Sequence, residues 1–241
     1  MKTIILFSLA FLITSFQTDN KGKYEKDGFM AKNGQLRIYF IGHGSLMFEF
    51  NGKIIDIDPS GMFANYDSLP KADLILITHH HSDHLDSAAI SKTIKKSTEI
   101  ILPQASFDKL KKGTVMKNGE KKMIMGIEIE AIPAYNVTAG REKYHPKGRD
   151  NGYVLTIGGR RIYVAGDTEN TPEMEVLKNI DIAFLPMNQP YTMLPEQVAD
   201  VANKFNPKIL YPYHFDDSDT EHLKVLLSKN KKVEIRIRKM K

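Results

Sequence analysis

The chain has 241 residues, 41% hydrophobic and 26% charged, with no cysteine and a formal net charge of +5. That length supports one domain with its own core, and the composition is that of an ordinary globular protein. The missing cysteine excludes disulfides, thiolate metal sites, cysteine nucleophiles and lipid attachment through an N-terminal cysteine, which leaves nitrogen and oxygen as metal donors.

Residues 1–15 read as a signal peptide: Lys2 gives a positive start, and Ile4 to Ile13 is an almost unbroken apolar run, short for a membrane span. An uncleaved N-terminal anchor is the other reading of the same residues. Export predicts a periplasmic or secreted protein, with no stable membrane span once the leader is removed. Residues 16–34 read as a polar linker, and residues 35–241 as a single domain.

The domain opens with short runs rich in branched and aromatic residues, at Leu36 to Ile41, Leu46 to Phe50 and Lys53 to Ile57. Gly42-His43-Gly44 and Asn51-Gly52 separate them, and the second is a hairpin signal. Leu74 to Ile77 is continuously apolar, as in a strand buried on both faces. A helix follows over about Ser87 to Lys96, with Asp86 placed to cap it.

The pattern then recurs loosely. Strands are predicted at Ile127 to Ile132, Tyr153 to Ile157, Arg161 to Ala165, Ile182 to Leu185 and Lys208 to Tyr211. Helices are predicted near Pro172 to Lys178, Pro195 to Phe205 and Thr220 to Ser228. Strands begin each half and helices end it, which favours two packed sheets with helices outside, an α/β architecture. The basic excess is densest at Lys109 to Lys122 and Lys229 to Lys241. Without a face of interleaved aromatics these stretches read as solvated loops and a tail, so no nucleic-acid partner is expected.

The most informative stretch is Thr78-His79-His80-His81-Ser82-Asp83-His84, which begins where the buried run ends. Residues two apart in an extended loop point the same way, so His79 and His81 can grip one ion while His80 points elsewhere. Asp83 and His84, at the turn into the helix, can face the same cavity from the other side. Imidazole and carboxylate clusters of this kind mean metal more often than a solvated loop. Asp167 and His214 each follow an apolar strand, where open α/β sheets place their ligands.

The HxHxDH pattern of His79, His81, Asp83 and His84 resembles the signature of the metallo-β-lactamase superfamily, and the likeness runs from about Leu36 to Phe215. It implies a four-layer αβ/βα sandwich with one or two metal ions at the sheet edge. Asp58 matches the aspartate that buttresses the metal loop, Asp167 the bridging carboxylate and His214 the last metal-binding histidine. The family supplies one further histidine before the bridging aspartate, but Pro133-Ala134-Tyr135-Asn136 has asparagine where many relatives carry it. His145, in His145-Pro146-Lys147-Gly148, is preferred over Asn136 as the third ligand of the first ion, because a carboxamide oxygen is a poor donor beside imidazoles. This PAYN and HPKG arrangement is similar to the ascorbate-6-phosphate lactonase-like branch.

His43 is either a turn residue or a neighbour of the metal pocket, and His80 and His222 are left outside the ligand set. The loop from Met187 to Met193 is expected to line the substrate cleft with Tyr191 and Thr192. Lys147 and Arg149 are either solvated or attract an anionic substrate. Two cations roughly 3.5–4 Å apart would activate a shared water for attack on a small polar lactone, ester or phosphodiester. Asp83 would orient that water, and Tyr191 would help to stabilise the developing charge. Zinc fits the nitrogen and oxygen donors best, with manganese or iron allowed. The competing readings are an exported β-lactamase and a metal-binding module without turnover; the oligomeric state is left open.

Overall fold

The computed structural model describes residues 20–240, so the leader expected at residues 1–15 lies outside the described residues. The strands β1 (Glu25–Ala31), β2 (Gly34–Gly42), β3 (Ser45–Phe50) and β4 (Lys53–Ile57) form an antiparallel meander. At the Asn51-Gly52 turn both residues have positive φ, 49° and 74°, which matches the twist of the strands it joins. Three parallel strands extend the sheet: β5 (Leu74–Leu76), β6 (Glu99–Leu102) and β7 (Thr114–Val115). Parallel neighbours need a crossover. Two of the crossovers carry helices, α1 (Ser87–Thr93) and α2 (Gln104–Leu110), and Asp86 caps α1 by accepting from the Ala88 and Ala89 amides.

The second half repeats the plan. An antiparallel run of β8 (Lys121–Ile124), β9 (Ile127–Ala134), β10 (Asp150–Ile157) and β11 (Arg160–Val164) comes first. It is followed by the parallel strands β12 (Ile182–Pro186), β13 (Ile209–Tyr213) and β14 (Glu234–Ile235). The helices α3 (Pro172–Glu175), α4 (Pro195–Phe205) and α5 (Thr220–Leu226) lie along this half. Two seven-stranded mixed sheets result, in orders β1 to β7 and β14 to β8.

Alternation along the strands assigns each side chain to a layer. In β2, Leu36, Ile38 and Phe40 enter the core between the sheets, with Phe48, Ile57, Ile129 and Tyr153. Tyr39 and Ile41 face the opposite way, joining Ile75, Ile77 and the α1 residues Ala89 and Ile90 in an outer core. β5 is buried on both faces, the environment expected of its unbroken apolar run. On the second sheet, Val198, Val201 and Ala202 of α4 and Leu223 of α5 complete the outer layer. The architecture is the αβ/βα sandwich. Each fully buried Leu, Ile or Phe contributes about 1.5–3 kcal/mol relative to exposure, which lets the fold carry local strain at its edge.

Both ends of the domain differ from the sequence reading. The linker expected at residues 16–34 includes β1, which pairs with β2 in continuous register from Glu25↔Phe40 to Ala31↔Gly34. As an edge strand half exposed along its length, it lacks the apolar run that marks an inner strand. The tail expected from Lys229 to Lys241 contributes β14 and buries Met240. Its Arg238 and Arg236 reach Asp27 of β1 at 2.7 and 3.3 Å, so the two termini of the described chain are tied together by charge. Likewise Lys109 to Lys122 is not plain loop: it holds the end of α2, then β7 and the start of β8. Among the described residues, no helix is long and apolar enough to cross a membrane.

Candidate metal centre

The site is built where β4, β5, β11 and β13 end. Asp58 follows β4 at φ 46°, and its carboxylate accepts from the Thr78 amide at 2.7 Å and the Thr78 hydroxyl at 2.5 Å. It also accepts a hydrogen bond from His84 Nδ1 at 2.8 Å. Three bonds from one buried carboxylate therefore hold both ends of the histidine loop. His79 Nδ1 lies 3.0 Å from the Thr78 hydroxyl, which turns its Nε2 inward, 3.1 Å from His81 Nδ1.

Close backbone approach brings the distant pieces in. Gly44 could carry no side chain, because a Cβ there would stand 2.5 Å from His84 Cε1. His43, on one side of it, and His214, after β13, are both left-handed, with φ of 53° and 47°. Such conformations cost non-glycine residues on the order of 1–2 kcal/mol each and persist only where the surroundings enforce them. Here the His214 amide donates to the His43 carbonyl at 3.1 Å.

Two groups of donors emerge. His79, His81, His145 and Asp167 form one, and His43, Asp83, His84 and His214 the other; within each group one ligand atom per residue lies within 4.8 Å of every other. Asp167 stands between them. Its Oδ2 is 3.7 Å from His79 Nε2, 3.5 Å from His145 Nε2 and 3.4 Å from His214 Nε2, while its Oδ1 is 3.4 Å from His84 Nε2. Asp83 Oδ2 lies 3.5 Å from His214 Nε2 and 3.4 Å from His84 Nε2.

The donors suit a divalent transition metal. His84 Nε2, His145 Nε2, His214 Nε2 and Asp167 Oδ1 are buried with no hydrogen-bond partner, and all point into the cluster. Imidazole that ligates metal commonly gives its other ring nitrogen to a carboxylate. His84 does so to Asp58, and His145 to Asp150 at 3.2 Å, which Arg149 in turn holds at 2.8 Å.

Charge in the site follows the same division. Burial, then His84, His145 and His81, hold His79 well below the usual histidine range, and burial with His145 lowers His81 to about 4. Both shifts favour the neutral imidazole, the form that ligation requires. For His84 burial works against the charged form, yet Asp167, Asp58 and Asp83 together raise its pKa well above the ordinary value. The same three carboxylates would also stabilise a cation placed beside this ring. Asp83, despite burial, is held far below the carboxylate range by His214, His43 and His84.

The structure thus gathers His79, His81, Asp83, His84, His145, Asp167 and His214, together with His43, into two donor groups. Asn136 is not among these donors: its Nδ2 donates to the carbonyls of Tyr191 and Arg141 at 2.8 and 3.3 Å. The cleft above the cluster has a volume of about 640 Å³, and its walls include Lys109, Tyr144, Tyr191, Asn188 and Asp216. Lys147 and Arg149 do not line it. Lys147 pairs with Glu173 and the Tyr135 hydroxyl, both at 3.1 Å, and Arg149 is spent on Asp150 and the Tyr144 carbonyl. Lys109, Tyr144 and Asp216 carry no sequence pattern that marks them, because only the packing of separate loops brings them to the cleft.

Histidines and aspartates converging at the strand ends of an αβ/βα sandwich define a metal-dependent hydrolase. A family model described as a β-lactamase superfamily domain matches residues 37–214. A UPF0173 metal-dependent hydrolase of Ligilactobacillus salivarius is 32% identical over 194 residues, 75% of this chain and 85% of that protein. One from Pyrococcus furiosus is 30% identical over 218 residues, 83% of this chain and 96% of that protein. Among solved structures, a protein from Parabacteroides distasonis named as a metal-dependent hydrolase is 52% identical with a TM-score of 0.88, covering 90% of this chain and all of its own. A metallo hydrolase from Ignicoccus hospitalis, 22% identical, shares the fold with a TM-score of 0.71, over 85% of this chain and 95% of its own. The chain belongs to the metallo-β-lactamase superfamily.

Proposed function

We propose that the protein hydrolyses a small polar lactone, ester or phosphodiester at a centre of two divalent cations. His79, His81 and His145 would hold the first, and Asp83, His84 and His214 would hold the second. Asp167 lies between them, and the observation that carries this reading is its carboxylate, within 3.7 Å of imidazole nitrogens from both groups. Bound there, such cations supply Lewis acidity and acidify a water. The nitrogen and oxygen donor set supports zinc, with manganese or iron as alternatives.

The remaining steps belong to the chain. Asp83 would orient the attacking water by accepting a hydrogen bond from it on the open side of the cluster. Tyr191, on the cleft wall, stabilises charge that develops on the electrophile's oxygen. Lys109, on the same cleft wall, draws in an anionic substrate. The PAYN and HPKG segments support placement in the lactonase-like branch, and the apolar run after Lys2 supports action in the periplasm or outside the cell.

The test is hydrolysis of p-nitrophenyl acetate, a γ-lactone and bis(p-nitrophenyl) phosphate by zinc-loaded protein, beside the Asp83→Ala variant. Turnover of at least one by the wild type, lost in the variant with the fold intact, is expected. Turnover confined to nitrocefin would point instead to a β-lactamase. No turnover on any of the four by protein with its metal restored would leave a binding module.

A further inference from the structure

We infer that Asn136 is a positioning residue that ties the loop carrying His145 to the wall carrying Tyr191. The inference rests on the proposed hydrolysis for its kinetic meaning, while the tie itself stands on geometry. The two loops leave β9 and β12, which are separated in the sheet by β10 and β11. No strand pairing holds them together, so whatever sets their spacing must be side-chain contacts across the cleft mouth.

Asn136 is buried and reaches both loops. Its amide donates to the His145 carbonyl at 2.8 Å, and its Nδ2 donates to the Tyr191 carbonyl at 2.8 Å and the Arg141 carbonyl at 3.3 Å. Its Oδ1 is buried without a partner, so the orientation of the side chain is set by what the amino group donates to. A second tie runs alongside. Fully buried Glu169, two residues after Asp167, accepts from the Val137 and Thr138 amides at 2.7 and 2.6 Å and from Arg141 at 3.2 Å. The other side of the Arg141 guanidinium faces Gln189, whose side-chain oxygen accepts from both terminal nitrogens in the carboxamide orientation that satisfies it. Above this layer the rings of Tyr144 and Tyr191 meet edge to face, 5.0 Å between centroids.

The consequence is a division of labour within one loop. Asp150 and the backbone bond to Asn136 set His145, whereas the Asn136 side chain sets Tyr191. Removing that side chain frees the tyrosine wall and leaves the donor cluster in place. The asparagine in the PAYN segment thus acts on the substrate side of the site.

The chain has no tryptophan, so Tyr191→Trp provides a single fluorescent reporter on the wall. Zinc-loaded Asn136→Ala is compared with wild type for p-nitrophenyl acetate hydrolysis and zinc content, and the reporter is read in both backgrounds. Expected are a kcat lowered about tenfold with KM little changed, as for a lost contact made in the transition state, and full zinc content. The reporter emission should shift to the red, and its anisotropy should fall. Unchanged kcat and unchanged emission would overturn the inference. So would KM, kcat and zinc content failing together, the mark of a purely structural residue. If the wild type hydrolyses nothing, the proposed function fails, yet the emission arm still decides whether Asn136 holds the wall. If Asn136→Ala does not fold, Gln189→Ala, which cuts the parallel tie, must move the reporter in the same direction; an unmoved reporter there counts against the inference.

Discussion

Gly166 and Thr78 touch where the two halves of the sandwich close on the site: a Cβ added to Gly166 would stand 2.9 Å from the Thr78 Cβ and 3.0 Å from the Asn151 carbonyl oxygen. Gly166 also has φ 67°, a conformation that side chains resist. This contact sets the distance between Asp167 and the histidine loop. Gly166→Ala is therefore expected to lower stability by about 1–3 kcal/mol through overpacking and backbone strain combined. It should also reduce bound metal, because Asp167 and His79 are pushed apart. Thermal unfolding with parallel metal analysis checks this, and a variant with wild-type Tm and full metal content would show that the contact relaxes freely.

A second prediction concerns Asp58, which contacts the loop rather than the proposed ions. Its bond to His84 Nδ1 fixes the tautomer that leaves Nε2 free for ligation. In Asp58→Asn the carboxamide no longer offers a charged acceptor to that ring. Loss of such a supporting carboxylate weakens metal binding by about 10–100-fold. Titration with zinc as the probe, against a competing chelator, should show the weakening at the proposed position of His84, with the other proposed position affected less. Equal loss at both ions would mean that the loop as a whole had collapsed.

Much of the donor set was legible because adjacency in sequence and adjacency in space coincide over His79 to His84, and because Asp167 and His214 follow strands whose apolar runs are plain. The inner strands were legible for the same reason: β5 is buried on both faces, and its sequence says so. What stayed hidden depends on long-range pairing. β1 is a half-exposed edge strand whose Asp27 is explained by partners at the far end of the chain, Arg236 and Arg238 together with the Tyr211 hydroxyl. The charges of Lys147 and Arg149 looked available, but Glu173 and Asp150 hold them. Lys109 looked like surface, but the start of α2 at Gln104 places it on the cleft wall. Local patterns carry no signal for contacts of this kind.

Asp56 gives a pH prediction independent of the metal. It lies in β4, accepts from the Thr93 hydroxyl at 2.7 Å, and has Oδ1 buried without a partner. Burial pushes its pKa up to about 7 from an ordinary 3.8, against the lowering effect of Thr93. Since the folded pKa is raised, the folded state holds this proton more firmly than the unfolded chain does. The stability it provides is complete below the unfolded value near 3.8 and is lost as pH rises through about 7. A shift of this size corresponds to roughly 4 kcal/mol across the window. Asp56→Asn mimics the protonated acid, so it should raise Tm at pH 8 and change it little at pH 4. A gain of the same size at both pH values would assign the effect to packing instead.

The last prediction separates electrostatic attraction from metal chemistry. Among the described residues, Lys109 is the cation on the cleft wall. Its Nζ donates to the His80 carbonyl at 3.0 Å, which anchors the ammonium near the mouth while leaving two of its protons free. The side chain is exposed, so its interaction with a substrate anion is screened and worth at most about 1 kcal/mol. That corresponds to a change of about fivefold in binding, far below the loss expected from removing a metal ligand. Lys109→Ala should therefore raise KM severalfold for an ester bearing a carboxylate, leave KM for its neutral isostere unchanged, and leave kcat unchanged for both. The difference between the two esters should shrink in added salt, because screening already reaches about 10 Å at 0.1 M. An equal rise for both esters, insensitive to salt, would show that Lys109 shapes the cleft through its hold on His80 and does not read the charge of the substrate.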